Sequence, residues 1–143
     1  MARVTLDGMD ALDKIFGQLG NIPFEVTRQA LDEMAEVAEA RVRASGDTMG
    51  VRDPESSVHI LDKIRHTKPK QTQSGGYSDV TFSGKRRRGN SATRNAEIAF
   101  INEYGKEGQP ARPFIRTAAE GGADAIAAPG EKVVGDWFES TFD

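Results

Sequence analysis

The side chains of this sequence that could do chemistry are few and unevenly placed. Two histidines, His59 and His66, stand near each other, and a run of four cations, Lys85, Arg86, Arg87 and Arg88, lies between glycines with Arg94 close behind. A catalytic triad needs a nucleophile in a turn that exposes its oxygen, such as G-x-S-x-G; no such turn occurs, and no P-loop, G-x-G-x-x-G or H-E-x-x-H does either. Cysteine is absent, which excludes disulfides and thiolate ligands, and two histidines cannot complete a four-ligand zinc site. The histidines read as surface or loop residues, and Glu97 and Glu103 as solvated carboxylates on a helix. The pattern predicts no enzyme, no metal site and no cofactor.

The basic run is the most informative polar feature. Residues 63–94 hold nine cations against one acid, Asp79, while the whole chain carries −3, so the remainder sums to −11. Charge sorted in this way bears on partners, because clustered cations attract polyanions or acidic protein surfaces. Residues 84–93, GKRRRGNSAT, read as a glycine-flanked loop without an apolar anchor. Three readings stay open for it: a solvated loop, a contact with an acidic protein surface, or a non-specific contact with DNA phosphate driven by counterion release. No aromatic residue inside it offers a surface on which bases could stack.

The elements that must position these residues follow from periodicity. At 143 residues, 37% hydrophobic and 29% charged, the chain is the size of one domain, residues 1–143. No apolar run approaches a membrane span and the first residues lack a signal-peptide core, so a cytoplasmic chain with no membrane partner is expected. Residues 3–6 suggest an opening strand and 9–19 a short amphipathic helix. From Pro23 to Ala44, Phe24, Leu31, Met34, Ala35, Ala38 and Val42 fall on one stripe of period 3.6, with Arg28–Asp32 and Glu39–Arg43 available as i,i+4 pairs; Ser45-Gly46 should close this long helix. Asp53-Pro54 could start a short helical segment. Residues 61–68 read as an edge strand, 69–76 as a turn and 77–83 as a strand, which makes a hairpin packed on the long helix. Asn95 is placed to cap a helix over 96–104, and residues 115–142 keep helical register through Pro129, as one kinked helix or two short ones. The fold class expected is α+β: a small antiparallel sheet packed on a long α-helix, with a C-terminal helical region.

Residues 96–116, AEIAFINEYGKEGQPARPFIR, join two of these elements by a specified corner. Gly105 fits a left-handed position that ends a helix. Pro110 and Pro113 push Gln109 and Arg112 toward extended backbone, and Pro113 can open the next helix because its missing N–H has no partner there anyway. Physics alone reads Tyr104, Gly105, Pro110, Arg112, Pro113 and Phe114 as a helix–loop–helix corner.

The order Phe100, Asn102, Glu103, Tyr104, Gly105, then Pro110, Ala111, Arg112, Pro113, Phe114, Ile115 and Arg116 also resembles the closing motif of a bacteriophage tail-component family. Members of that family often carry Y/F-G-T followed by A-R-P-F-L/I-R-x-A; here Lys106 stands where Thr or Ser is common. The motif covers about a sixth of the chain. The resemblance implies a structural protein of the head–tail connection of long-tailed phages, of connector, tail-completion or tail-terminator type, assembled as a ring. It implies other phage head, connector or tail proteins as partners, a homo-oligomer in the virion, and a location at the neck or tail after assembly in the host cytoplasm. In that reading Tyr104, Gly105, Pro110, Arg112, Pro113, Phe114 and Arg116 form a protein interface. Lys85, Arg86, Arg87, Arg88 and Arg94 form a contact for an acidic partner, or, if the chain is a DNA-channel-lining accessory protein, for DNA.

Overall fold

The computed structural model describes residues 22–52, 54–55 and 59–142. The strand and helix expected over 3–6 and 9–19, and residues 53 and 56–58 of the segment starting at Asp53, lie outside them; Pro54 and Glu55 form a turn. Helix α1 spans Phe24–Thr48. A 3₁₀ turn, Ile60–Lys63, leads into β1, Ile64–His66, followed by β2, Lys70–Thr72, β3, Gly75–Tyr77, and β4, Val80–Phe82. Next come β5, Lys85–Arg88, β6, Ser91–Arg94, helix α2, Asn95–Tyr104, and helix α3, Phe114–Phe142. The class is α+β, with antiparallel strand pairs and long helices.

The two long helices run antiparallel and close together, because α3 offers glycines where α1 offers long side chains. A Cβ on Gly130 would overlap Met34 Sδ, and one on Gly122 would overlap the Arg41 guanidinium, whose Nη2 donates to Gly121 O at 3.2 Å. Helix α1 does not stop at Ser45-Gly46 as expected. Gly46 is buried inside it, and its bare Cα receives Leu61 and Phe114. Helix α3 is a single element through Pro129. The carbonyl that Pro129 leaves without an intrahelical donor belongs to Ala125, an exposed residue that water can reach. Burial of Ala118, Gly122, Gly130 and Val133 along α1 offsets the poor helix propensity of the glycines.

The hairpin on α1 is present, but its strands are shorter than the sequence suggested. Ile60, Leu61 and Ile64 all face the core, a helical rather than an alternating spacing, so the first half of the expected strand over 61–68 is the 3₁₀ turn. β1 pairs with β4, Ile64 opposite Phe82, and β2 pairs with β3, Lys70 opposite Tyr77, so the expected turn over 69–76 itself contains ladder. Between the two ladders Ser78 Oγ donates to Thr67 O at 2.6 Å and Asp79 N donates to Thr67 Oγ1 at 2.9 Å. These side-chain bonds break the expected strand over 77–83 in two.

Leu61, Ile64 and Phe114 have no exposed surface and form the centre of the core with Val42, Val51, Ile60, Ala99 and Ala118. Phe82 meets Phe114 edge to face, ring centroids 6.0 Å apart. Phe114 thus ties α1, the hairpin and α3 together.

Candidate interaction site at the helix corner and the basic ribbon

The corner between α2 and α3 is built from its backbone outward. Gly105 has φ of 78° and its N–H donates to Ile101 O at 2.7 Å, closing α2 as the sequence predicted. A Cβ there would lie 2.8 Å from Ala111 N and 2.9 Å from Gln109 O, so only glycine fits. Lys106 and Gln109 exchange backbone hydrogen bonds at 3.0 and 2.9 Å around a tight loop in which Gly108 has φ of 78°. Arg112 N then donates to Asn102 O at 2.6 Å, and its guanidinium donates to Gly50 O at 3.0 Å, fastening the loop to the end of α1.

Glu103 is the residue that sequence reasoning misread. It is buried, and its carboxylate accepts from the backbone N–H of Ile115 at 2.8 Å and of Arg116 at 3.1 Å. It therefore caps the start of α3 from the preceding helix, with its negative charge at the positive end of the helix dipole. A capping box is legible at three-residue spacing; this cap reaches across a whole loop, which spacing cannot reveal.

The motif residues divide by role. Gly105, Arg112, Pro113, Phe114 and Glu103 make the corner rigid. Tyr104 and its neighbour Phe100 are turned outward, 66% and 64% exposed, with ring centroids 4.7 Å apart and planes tilted by 47°. Pro110 and Arg116 are also exposed. Beside the aromatic pair a groove of about 410 Å³ runs between β4, α2 and α3, floored by Phe82, Ala99 and Ile115.

Residues 84–93 are not a loop. β5 and β6 form a two-stranded ribbon with Lys85 opposite Arg94, Arg86 opposite Thr93, Arg87 opposite Ala92 and Arg88 opposite Ser91. Gly89, with φ of 59°, opens the two-residue turn Gly89-Asn90. That glycine-led pair between two runs of four was the signal available in the sequence. Because facing residues share a side of a ribbon, Lys85, Arg87 and Arg94 lie on one face and Arg86 with Thr93 on the other. The second face looks into a cleft of about 510 Å³ shared with the corner, whose lining includes Arg52, Arg86, Lys106, Arg112, Ile98 and Ile101. Arg52 there is held by Asp47 at 3.0 Å and by Asp62 at 3.1 Å; the hydrogen bond to Arg52 lowers the Asp62 pKa. On the first face Arg94 pairs with Glu97 at 3.0 Å.

Asn95 does not cap α2 with its side chain. It is buried at the joint of ribbon and helix, where its Nδ2 donates to Ser83 O at 2.7 Å. His66 is no loose surface residue either: Nδ1 lies 2.7 Å from Glu39 Oε1 and Nε2 3.3 Å from Asp32 Oδ1, both on α1. The hydrogen bond to Glu39, with the charges of both carboxylates, outweighs desolvation and raises the His66 pKa above the ordinary imidazole value. Glu39 is thereby taken from its expected partner Arg43, whose Nε donates to Leu61 O at 3.1 Å; the Arg28–Asp32 pair forms at 3.4 Å.

Among the described residues no group of three or more His, Asp or Glu is placed to hold a metal ion, and no helix is long and apolar enough to cross a membrane. Searches against protein-family models, curated proteins and solved structures match nothing to this chain, so the corner and the ribbon stand on their own geometry.

Proposed function

We propose that this chain is a structural protein of the head–tail connection of a long-tailed phage, working as one of several copies in a ring. The observation that carries the reading is the division of labour in the corner. Five residues of the phage-like motif lock the backbone, and the same motif turns Phe100 and Tyr104 into solvent as a pair of rings in tilted contact. Large exposed aromatics on a rigid support are the usual anchors of protein interfaces, and their ordering entropy is already spent on folding. Each of the corner's hydrogen bonds has a backbone group at one end or both, which suits a fixed docking element more than a reacting centre.

The test is electron microscopy of lysates from a phage with a stop codon in this gene. The expected outcome is filled heads beside separate tails, or tails of abnormal length, restored when the gene is supplied from a plasmid. Intact infectious particles would remove the chain from the joint.

A further inference from the structure

The outward face of the β5–β6 ribbon carries an electrostatic problem that one copy of the chain does not solve. Lys85 and Arg94 face each other directly, and Arg87 follows on the same face. Like charges opposed across a ladder destabilise it, and a two-stranded ribbon has little else to hold it. Glu97 answers Arg94, but among the described residues no carboxylate pairs with Lys85 or Arg87, both exposed.

Helix α3 carries the opposite imbalance. Glu120, Asp124 and Glu131 are exposed and fall within about 40° of one another around the helix axis. Lys132, on the same helix, is committed to Asp136 at 2.6 Å, and no cation among the described residues pairs with the three acids. Between and beside them stand Gly121, Ala123, Ala128 and Gly135, all exposed. A Cβ added at Gly121 or Gly135 would touch nothing, so a second backbone can come close to this face.

The geometry points to a second copy of the chain as the occupant: the basic face of the ribbon of one copy lies along the acidic stripe of α3 of the next. This rests on the ring reading above and names its contact. Lys85 and Arg87, two residues apart on a strand, are about 6.8 Å apart, and Glu120 and Asp124, four apart on a helix, about 6 Å, so two cations meet two carboxylates in register. Within one copy the ribbon rests on α2, and the three acids of the α3 stripe are exposed while the opposite face of that helix packs on α1. A patch meeting a different patch on an identical copy is a heterologous contact, the kind that closes rings. A protein stripe fits better than a nucleic acid, because the ribbon face has no aromatic to stack on bases and the rest of the molecule is acidic.

The experiment is sedimentation equilibrium of the full chain and three variants: Lys85→Glu with Arg87→Glu, Glu120→Lys with Asp124→Lys, and all four together. The wild type should self-associate, each reversed pair should weaken association about tenfold or more, and the four-site exchange should restore it. As a check free of charge reversal, Ala92→Cys with Ala123→Cys in this cysteine-free chain should yield a covalent ladder with a short bismaleimide, and Gln73→Cys with Ala123→Cys should not. A monomeric wild type, association indifferent to the reversals, no rescue by folded four-site protein, or no ladder would each overturn the contact. So would loss of DNA-duplex affinity in the Lys85/Arg87 variant with association unchanged, which would give the ribbon to nucleic acid. The ring reading is judged separately by the stop-codon particles: a joining defect there, beside a failed contact here, leaves the ring and removes only this interface.

Discussion

Glu103 does at the start of α3 what a serine or aspartate usually does from the position just before a helix. Two otherwise unpartnered N–H groups, of Ile115 and Arg116, end on its buried carboxylate. Glu103→Ala should lower stability by about 2 kcal/mol, since the cap is lost and two donors are left in a part-buried place. Glu103→Gln keeps one acceptor oxygen and should lose about half as much; urea denaturation of the three proteins checks the order. His66 makes a different prediction. With a carboxylate at each ring nitrogen, both must carry protons to be satisfied, so the folded state favours the imidazolium. Its folded pKa is raised above the unfolded value of about 6.5, so the stabilisation is fully present below about pH 6.5 and is lost as pH rises through the folded pKa. The stability difference between wild type and His66→Gln should therefore shrink as pH rises from about 6 toward 9. A difference that grows over that range would refute the assignment.

At the scale of elements, glycine content divides into positions that permit packing and positions that do not. A Cβ at Gly46 would lie 2.5 Å from Leu61 Cδ2 and 3.2 Å from Phe114 Cδ2, two side chains with no exposed surface and nowhere to go. Gly46→Ala should cost about 1–2 kcal/mol, because overpacking outweighs the roughly 1 kcal/mol gain in helix propensity. Gly135→Ala, on the open face of α3, meets nothing and should stabilise by about 0.5–1 kcal/mol. Thermal melts of the two variants should move in opposite directions. The same contrast explains what the sequence made legible. The stripe on α1, the Gly105 stop and Pro113 just before α3 are local signals that appear where periodicity or turn chemistry put them, while the hairpin on α1 is present with shorter, interrupted strands. Gly46 reads locally as a helix end, yet α1 continues because Leu61 and Phe114 fill the space its missing side chain leaves. Glu103 and His66 read locally as solvated, and both are claimed by partners distant in sequence. The ribbon was missed for a different reason: four consecutive cations obscured a glycine-led turn.

For the whole molecule, the question is whether the motif serves the fold alone or also a partner, and Phe100 with Tyr104 separates the two. Both rings are about two-thirds exposed and in contact with each other. Their contribution to monomer stability must therefore be small, and surface substitutions of this kind shift it by no more than about 0.5 kcal/mol. Aromatic anchors at the centre of an interface cost about 2 kcal/mol or more each when truncated, enough to empty a binding site in an assembly built from modest contacts. Phe100→Ser with Tyr104→Ser should leave the melting temperature of the purified chain nearly unchanged, while the proposed head–tail function requires that phage carrying both changes accumulate unjoined heads and tails. Phe114→Ala should fail in both assays, because it empties the centre of the core and costs about 3–5 kcal/mol. Loss of melting temperature in the double serine variant would mean that the pair belongs to the core. An unchanged melting temperature with normal particles would mean that the outward face of α2 meets no partner at the joint.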